Sequence, residues 1–358
     1  MNVINLKKRK IGKDHPTYVI AEIGINHNGR LNLAKELIER SADAGVDAVK
    51  FQKRDAASIM IASKINQHPV GRLSQTADDI VHGVPEFGNW SYPDTRLELS
   101  DKDYYELKEF ADKLNVDFVA SPWDDKSTDF LITLGVEFIK IPSIEIKNPA
   151  YLDYVAKTKL PLIMSTGMAD IHEVDRAVSV IKKHHSMICL LQCTSAYPSK
   201  FNEIDLRVIQ TLRDRFNLPI GYSGHEPGIH VPLAAVALGA SVIEKHVTLN
   251  RKMSGPDHSA SIEIGELKEM VKQIREVEQA MGSFEKKRYE SEDVLVSALG
   301  KSVVSKVNIP ADTILTANML TTKGPSTGIP ASELQSLIGK RTAKSIKADS
   351  LITPDQIV

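Results

Sequence analysis

The sequence predicts an α/β fold in which a (β/α)8 TIM barrel is followed by a smaller β-rich domain. Over the first ~280 of the 358 residues, eight short runs rich in Val, Ile and aromatic residues alternate with longer amphipathic segments. Several of the short runs are apolar throughout, as strands buried on both faces are. Eight strand–helix units in ~270 residues match the size of a (β/α)8 barrel. A doubly wound open sheet is the alternative, and it is disfavoured because no Gly-rich phosphate-binding turn follows the first strand.

The predicted elements succeed one another in a regular order. The eight predicted strands are 17–23, 46–52, 116–121, 137–141, 161–166, 188–194, 219–223 and 241–247. The segments with a helical repeat of apolar residues are 31–45, 101–115, 172–183, 206–216, 230–240 and 265–282. Gly45, Gly239 and Gly282 stand where three of these helices end, and glycine readily takes the left-handed conformation that closes a helix.

Two regions interrupt the alternation and suggest the domain organisation. Residues 54–98 are too long for an ordinary strand-to-helix connection, and a lid and a mobile connection are both compatible with their sequence. Residues 283–297 are charged and poorly patterned, as a linker is. We therefore expect a barrel domain at 1–282, a linker at 283–297 and a β-rich domain at 298–358. A domain of about 60 residues buries little core, so we expect it to dock on something larger.

Composition excludes several classes of protein. The formal net charge is −1, so no overall field favours nucleic acid or an anionic membrane. The basic N-terminus is not followed by an apolar stretch, so we expect no secretory signal. We also expect no membrane span, since no apolar run approaches the roughly 18–20 residues required. The presence of only two cysteines excludes a disulfide framework, and a reducing, cytoplasmic setting is expected.

Polar residues at the ends of the predicted strands are candidates for an active site. A (β/α)8 barrel forms its site at the C-terminal ends of its strands. The polar residues at those ends, with Gly167, are Glu22, Asn26, His27, Lys50, Gln52, Ser121, Lys140, Ser143, Glu145, Ser165, Thr166, Gly167, Thr194, Ser195, Tyr197, Ser223, His225, Glu244 and His246.

The charged candidates indicate anion binding and acid–base chemistry. Lys50 and Lys140, with nearby hydroxyls, suit a ligand that carries a phosphate and a carboxylate. The alternative, surface lysines, is disfavoured because both lie in apolar strands, where an unpaired ammonium is costly. Glu22, Glu145 and Asp257 are the acid–base candidates, and simple ion pairs with neighbouring cations remain an equal alternative for each.

Two histidines indicate a metal. His225 and His246 fall on adjacent strands near the same end, and two imidazoles suit Mn, Fe, Co or Zn while leaving positions open for substrate. Hydrogen-bonded core histidines are the alternative. Cys189 and Cys193 lie on one face of a strand about 13 Å apart, too far for one metal. Packing is the expected role of both cysteines.

Eight motifs, in order along nearly the whole chain, resemble the sialic acid synthase family. They are AEIGINHNG (21–29), VKFQK (49–53), STGM (165–168), LLQCTSAYP (190–198), GYSGHE (221–226), EKHVT (244–248), SGPDHSAS (254–261) and KSVV (301–304). The family makes N-acetylneuraminate and related nonulosonates such as legionaminate and pseudaminate. The C-terminal part resembles the family's antifreeze-like (SAF, β-clip) domain.

The resemblance assigns roles to particular residues. It implies a divalent metal, usually Mn2+, on His225 and His246, with Mg2+ and Co2+ as alternatives, and proton handling by Glu22. It implies phosphoenolpyruvate binding by Lys50, Lys140, Ser121, Ser143, Ser165 and Ser223. It implies sugar binding by Gln52, Glu145, Tyr197 and Asp257. Two departures stand out: Ser195 replaces an asparagine that contacts phosphoenolpyruvate, and Gly324 replaces a cap arginine, beside Lys323.

The implied reaction joins phosphoenolpyruvate to an amino-sugar aldehyde. The aldehyde would be N-acetylmannosamine, its 6-phosphate or a related 2,4-diacetamido hexose, and the products a nonulosonic acid and phosphate. The resemblance also implies a domain-swapped homodimer. Two alternatives stay open from the residues: a Schiff-base pyruvate aldolase that uses Lys50 or Lys140, and a non-enzymatic protein that binds glycan or ice through its C-terminal domain.

Overall fold

The computed structural model describes residues 3–61, 95–253 and 255–358. The chain divides into two compact units, Met1–Gly282 and Ser283–Val358. Most of the predicted lid or mobile connection, 54–98, lies outside the described residues. Within the described ranges, none of the helices combines the length and apolarity that crossing a bilayer requires.

The first unit is the predicted barrel. It opens with an antiparallel hairpin of β1 (Ile4–Asn5) and β2 (Lys10–Ile11). Eight parallel strands follow: β3 (Tyr18–Gly24), β4 (Ala48–Lys53), β5 (Asp117–Pro122), β6 (Ile139–Ile141), β7 (Leu162–Ser165), β8 (Ile188–Cys193), β9 (Ile220–Gly224) and β10 (Val242–Thr248). Their hydrogen-bonded order is β5-β4-β3-β10-β9-β8-β7-β6. Because β5 also lies beside β6, the sheet curls into a nearly closed barrel, and β11 (Ile262–Glu263) pairs in parallel with the end of β10.

Helices surround the strands, and the sequence did not predict three of them: one of only four residues and two longer ones. The helices are α1 (Leu31–Asp43), α2 (Ala56–Ile59), α3 (Asp101–Lys113), α4 (Asp125–Leu134), α5 (Pro149–Lys157), α6 (Ile171–Lys182), α7 (Val208–Phe216), α8 (His230–Ala237) and α9 (Ile264–Met281). The two longer missed helices, α4 and α5, carried clear signals. Asp124 caps α4 and Gly135 ends it at φ 81°, while Asn148 caps α5 ahead of Pro149.

The strands bury both faces, as their apolar sequences predict. Their outward side chains pack against the helices in one continuous core. Their inward side chains form a second core in the lower half of the barrel, which the hairpin closes. This inner core consists of Ile4, Ile11, Tyr18, Ile20, Ala48, Val119, Phe138, Ile163, Cys189, Leu191 and Val242. We call it the floor.

The second unit has a core of its own. Its strands β12 (Ser302–Ser305) and β13 (Leu320–Lys323) pair antiparallel, and short helices α10 (Asp293–Leu299) and α11 (Leu334–Leu337) accompany them. The segment 283–297, interpreted as a linker, contains most of α10 and belongs to this unit. The core consists of Val303, Ile309, Leu315, Leu320, Ile329, Leu337, Ile346 and Ile352.

Candidate active site

The polar strand ends of the first unit surround a cavity of about 260 Å³. Twelve of the residues to which the sequence gave a specific catalytic or binding role line it. They are Glu22, Lys50, Gln52, Ser121, Lys140, Ser143, Ser165, Ser195, Tyr197, Ser223, His225 and His246. The other lining residues are Trp123, Pro142, Ile144, Met168, Cys193 and Glu244. We call this end of the barrel the mouth.

Side-chain alternation explains why these residues meet. Every second residue of a strand points to the same face, so β3 sends Tyr18, Ile20 and Glu22 inward, the first two to the floor and the last to the mouth. Strand β10 changes from apolar to polar in the same way, ending at His246. In both strands, the inward-pointing side chains are therefore apolar at the start of the strand and polar at its end. Glu22 stands in register with Lys50 on one side and with His246 on the other.

Two lysines at the mouth are held by buried oxygen atoms. Lys50 Nζ lies 2.7 Å from Glu22 Oε2 and donates to Ser121 Oγ over 3.0 Å. Lys140 Nζ donates to Ser165 Oγ over 2.8 Å. Both lysine side chains are almost fully buried, so these ammonium groups belong to the interior of the cavity and not to the surface.

Glu244 joins the two lysines into one network. Its Oε1 lies between the ammonium groups, 3.8 Å from Lys50 and 3.5 Å from Lys140. The same oxygen accepts from Ser223 Oγ over 3.1 Å. The two cations thus share a carboxylate that an anionic ligand could replace.

Burial shifts the pKa values of this network in different directions. Burial raises the pKa of Glu22 to about 7 against the opposing charge of Lys50, and it lowers the pKa of Lys140. For Glu244, burial is outweighed by the charges of Lys140 and Lys50, so its pKa is lowered. Near neutral pH, Glu22 is therefore the group that can take up or release a proton, while Glu244 stays ionised.

His225 and His246 lie together beside this network. Their ring centroids are 5.3 Å apart, and Tyr197 packs against His225 with a centroid distance of 4.1 Å. His225 Nδ1 lies 2.9 Å from the carbonyl of Thr194, and the thiol of Cys193 also interacts with this ring. His246 Nδ1 is buried without a hydrogen-bond partner in the described part of the chain.

The histidine pair could hold a divalent metal. Burial, with the charge of His225, lowers the pKa of His246 well below its usual range, so its imidazole is in the neutral form that binds metals. Within the residues that the structure describes, no group of three His, Cys, Asp or Glu side chains converges as a metal site. The described residues would supply two ligands, and substrate or water could supply others.

Gly167 lets three side chains gather at one edge of the cavity. A Cβ added at 167 would lie 2.2 Å from Ser195 Oγ and 2.7 Å from Ser143 Oγ. Ser143 Oγ in turn donates to Cys193 Sγ over 3.6 Å. A larger residue at 167 would displace both hydroxyls. Cys193, expected to serve packing, also lines the cavity.

Two predicted residues, Asp257 and Glu145, do not line the cavity. Asp257 Oδ2 lies 3.9 Å from His246 Nδ1, so this carboxylate stands beside the histidine pair. Glu145 ends a short 3₁₀ turn, is partly exposed and accepts from Asn148 Nδ2 over 2.8 Å. Asp257 is thus close enough to interact with His246. Glu145 is instead bound by Asn148, the residue that caps α5.

Some lining residues received no role from the sequence. Glu244 was among the strand-end candidates, since it lies two residues before His246 on the same face of β10, but no particular role was assigned to it. Trp123, Ile144 and Met168 come from segments that follow strands, where no periodic pattern indicates which side chains point inward.

Asn26 and His27, in contrast, are strand-end residues that the cavity does not use. Both are buried. Asn26 donates to Ser261 Oγ over 2.8 Å, and the His27 ring packs against Phe51 with a centroid distance of 5.7 Å. Their contacts hold the loop after β3 in place.

A barrel with such a mouth defines the class of protein. Barrels of this architecture carry their active sites at the C-terminal ends of the strands, and the buried charges of the cavity are concentrated at that end. The chain is therefore a (β/α)8 barrel enzyme.

Comparisons with known proteins define the family. The model of the NeuB family matches residues 37–286, and that of the SAF domain matches residues 300–358. The chain is 45% identical over 339 residues to the N,N'-diacetyllegionaminic acid synthase of Campylobacter jejuni, covering 94% of this chain and 98% of that protein. It is 39% identical over 353 residues to the human N-acetylneuraminate-9-phosphate synthase, covering 98% and 95%.

A solved structure agrees with these sequence relatives. The N-acetylneuraminic acid synthetase of Leptospira borgpetersenii, solved in complex with citrate, superposes with a TM-score of 0.69 at 34% identity, over 82% of this chain and 95% of that one. The chain belongs to the NeuB family, the family of the sialic acid and legionaminic acid synthases, and carries a C-terminal SAF domain. The family that the motifs predicted is confirmed.

Proposed function

We propose that the enzyme condenses phosphoenolpyruvate with the open-chain aldehyde of an N-acylated amino sugar, giving a nonulosonic acid and phosphate. The pairing of Lys50 and Lys140 around one carboxylate, Glu244, is the observation that carries the proposal. The named relatives, synthases of legionaminic acid and of N-acetylneuraminate 9-phosphate, support it independently.

The lysines at the mouth suit the anionic groups of phosphoenolpyruvate. Lys50 and Lys140 supply two buried positive charges. Such charges are worth more in a water-poor site than at the surface, because fewer solvent dipoles screen them. A phosphate and a carboxylate bound here would take over contacts that the lysines now make with Glu244 and Glu22.

Hydroxyl groups complete the proposed phosphoenolpyruvate site. Three of them already contact the charged network, and two lie at the cavity edge beside Gly167. Each can donate a hydrogen bond to an oxygen that the ammonium groups leave unsatisfied. The five residues are Ser121, Ser165, Ser223, Ser143 and Ser195.

The bond changes define the work of each group. Carbon 3 of the enol attacks the aldehyde carbon, and the aldehyde oxygen takes up a proton to become a hydroxyl. The positive charge left on carbon 2 is quenched by water, which forms a new C–O bond. Glu22, with a pKa of about 7, accepts the proton of that water. The bond from carbon 2 to the phosphate oxygen then breaks while the new hydroxyl on carbon 2 becomes a carbonyl and passes its proton to the departing phosphate, which Lys50 and Lys140 stabilise.

We propose that His225 and His246 hold a divalent metal, with Mn2+ as the first choice and Mg2+ or Co2+ as alternatives. When bound, such a metal supplies Lewis-acid polarisation of the aldehyde. The neutral imidazole of His246 and the closeness of the two rings, whose centroids are 5.3 Å apart, support this assignment.

Three residues around the histidines would bind the sugar. Tyr197 packs on His225 and would orient the sugar together with Gln52, which donates to Glu22 over 3.3 Å. Asp257, beside the histidine pair, would accept hydrogen bonds from sugar hydroxyls. Glu145 would serve the sugar only after leaving its contact with Asn148.

The acceptor is the aldehyde form of an N-acylated amino sugar. Its candidates are N-acetylmannosamine, its 6-phosphate and a 2,4-diacetamido hexose. Gly324 stands where the family resemblance predicts a cap arginine, and the neighbouring Lys323 is paired with Asp349 inside the second unit. A sugar would therefore have to displace Asp349 before Lys323 could serve in place of that arginine.

We further propose a domain-swapped homodimer in the cytoplasm, with no nucleic-acid or membrane partner. Cys189 and Cys193 are both free thiols, which agrees with a reducing compartment. Light scattering of the purified chain measures its mass in solution, and a monomer at micromolar concentration would contradict the dimer.

Phosphate release tests the proposed reaction. The metal-free enzyme is incubated with phosphoenolpyruvate and each of the three acceptors, with Mn2+ or with EDTA. We expect release with one acceptor class, dependence on Mn2+ and no release from phosphoenolpyruvate alone. In water enriched in oxygen-18, the label should enter the sugar product. Label in the released phosphate would show that the P–O bond breaks and would contradict the reaction above.

One observation favours a second reaction. Burial lowers the pKa of Lys140, and an amine that is more readily deprotonated can form a Schiff base with pyruvate. Borohydride should then trap pyruvate on Lys140 in the presence of EDTA. The absence of a trapped adduct, together with Mn2+-dependent phosphate release, would exclude this aldolase.

A further inference from the structure

Lys245 and Glu226 form an ion pair that is enclosed behind the barrel wall. Both side chains are 0% exposed, and Lys245 Nζ lies 2.8 Å from Glu226 Oε1. The same ammonium donates to the backbone carbonyl of Glu226, and Tyr222 OH donates to Glu226 Oε2 over 2.6 Å. Both carboxylate oxygens are thus held by residues of β9 and β10. We call Lys245, Glu226 and Tyr222 the clamp.

The clamp is next in the chain to both histidines of the mouth. Glu226 directly follows His225, and Lys245 directly precedes His246. Because neighbouring side chains on a strand point to opposite faces, Lys245 leaves the wall on its outer side while His246 enters the cavity. The clamp therefore joins the two chain segments that carry the imidazoles, from the side of the wall that faces the helices.

The clamp acts where the β9–β10 ladder ends. Gly224 and Lys245 are the last register pair of that ladder, and His225 lies one residue beyond it. Gly224 is needed here because an added Cβ would lie 2.5 Å from Glu226 Oε2 and 2.6 Å from Tyr222 Cε1. Past this pair the clamp, rather than ladder hydrogen bonds, links the segment of His225 to β10.

An enclosed ion pair is a poor means of gaining stability. Removing both charges from water costs about as much as their attraction returns, and apolar side chains of similar size often replace such a pair without loss. The surrounding layer is apolar, so an apolar pair would suit it. Directional hydrogen bonds differ from apolar contacts in one respect: they fix the distance between the groups they join.

We propose that the clamp sets the separation of His225 and His246, so that Lys245, Glu226 and Tyr222 are positioning residues for a metal held by the two imidazoles. The inference rests on the proposed function, in which those histidines are the metal ligands. Partners that hydrogen-bond directly to metal ligands change metal affinity about 10–100-fold when they are replaced, and we expect the clamp, which acts through the two chain segments, to reach a similar order.

The test compares the parent enzyme with the double variant Lys245→Met/Glu226→Gln. Removing both charges together leaves no lone buried charge, so the variant should fold. Both metal-free proteins are titrated with Mn2+, and the free ion is followed by electron paramagnetic resonance. We expect the Mn2+ Kd of the variant to rise about 10–100-fold. The Mn2+ concentration for half-maximal phosphate release should rise in parallel, with kcat at saturating Mn2+ changing less.

Two further variants keep the result interpretable. Tyr222→Phe removes one hydrogen bond of the clamp and should weaken Mn2+ binding in the same direction by a smaller factor, even if the double variant fails to fold. Arg275→Met removes a different ion pair of the barrel, with Asp47, and should leave the Kd unchanged.

The outcomes separate this inference from the proposed function. If the parent binds Mn2+ and releases phosphate, but the double variant or Tyr222→Phe binds Mn2+ equally well and only unfolds more easily, the clamp is merely structural. That result overturns the inference and leaves the proposed function intact. A parent that does not bind Mn2+ would overturn the inference together with the metal assignment, and phosphate release without Mn2+ would leave the condensation itself standing.

Discussion

The floor and the mouth of the barrel are built largely from the same strands, yet they bury opposite kinds of side chain. The floor joins Ile4 and Ile11 of the hairpin to apolar residues of the barrel interior, such as Phe138. The mouth, further along the strands, buries Lys50 and Lys140 with their carboxylate partners.

This difference separates stability from chemistry. Burying one large apolar side chain in the floor stabilises the fold by about 1.5–3 kcal/mol. Burying an ammonium or carboxylate in the mouth costs free energy, which its partners only partly offset. Changes in the floor should therefore alter unfolding, and changes in the mouth should alter turnover.

The largest effect is expected in the floor. Phe138 is 0% exposed and packs edge-on against Tyr18, with ring centroids 6.0 Å apart. Phe138→Ala should lower the free energy of unfolding by about 3–5 kcal/mol, because it leaves a cavity in a closed core. Denaturant unfolding measures the loss. The KM for phosphoenolpyruvate in the remaining folded enzyme should stay within about twofold of the parent value. A larger change would show that the floor also affects substrate binding.

The corresponding change in the mouth is Lys140→Met. It removes a buried charge from the proposed phosphoenolpyruvate site and should lower kcat/KM for phosphate release by about 10²–10³-fold. Unfolding should change less than in Phe138→Ala, since the charge of Lys140 is itself costly to bury. Lys147→Met is the matched control, because that lysine is half-exposed and paired with Glu173. Equal losses in both variants would show that the effect is not local.

A buried hydrogen bond at the lower edge of the floor should give a smaller effect on unfolding. Tyr18 OH donates to Asp117 Oδ2 over 2.6 Å in a buried setting. Tyr18→Phe keeps the ring and deprives that oxygen of its donor, so unfolding should become easier by about 1–3 kcal/mol. Steady-state kinetics should be unaffected. A changed kcat would mean that the floor transmits strain to the mouth.

A pH dependence set by the mouth completes the comparison. The pKa of Glu22 is raised from 4.5 to about 7, so between these values the folded state binds the proton more tightly than the unfolded state. The stabilisation is complete below the lower value and is lost as the pH rises through about 7. Unfolding of the metal-free parent at pH 5 and at pH 8 should show this loss. Glu22→Gln, which cannot titrate, should show a smaller one.

The eight strands and most of the cavity could be predicted from sequence because both depend on strong local patterns. Buried parallel strands are apolar throughout, and the ends of the strands converge by geometry once the barrel is assumed. Glu145 was grouped with the cavity by its position after β6. The 3₁₀ turn that carries this residue away has no periodic pattern of its own.

Helices α4 and α5 were missed because their local signals conflict. The β-branched residues Ile132 and Thr133 lower the helix propensity of α4, so its apolar repeat is harder to recognise. In α5, Tyr154 and Val155 weaken the helical pattern in the same way. The capping residues ahead of the two helices were the stronger signals, since an oxygen-bearing side chain before a first turn has a direct physical role there.

The sequence could not show the importance of Glu244 or of the clamp, because both depend on contacts between different strands. Alternation places Glu244 on the inward face of β10, but only the fold shows that both Lys50 and Lys140 reach it. The ion pair between Lys245 and Glu226 likewise depends on the fold. The chain turns after β9, and this turn places the carboxylate of Glu226 beside Lys245 of β10.

The hairpin at the start of the barrel has a consequence for the order of events in turnover. Its two isoleucines close the lower end of the interior, so molecules must arrive and depart through the mouth. Lys50 and Lys140 stand in register with the floor residues Val119 and Ile163, whereas His225 lies beyond the end of its strand. A ligand bound by the two lysines would therefore lie deeper in the cavity, and the second substrate to bind would cover it. Sequential addition, with the anion first, is the kinetic scheme that this barrel favours.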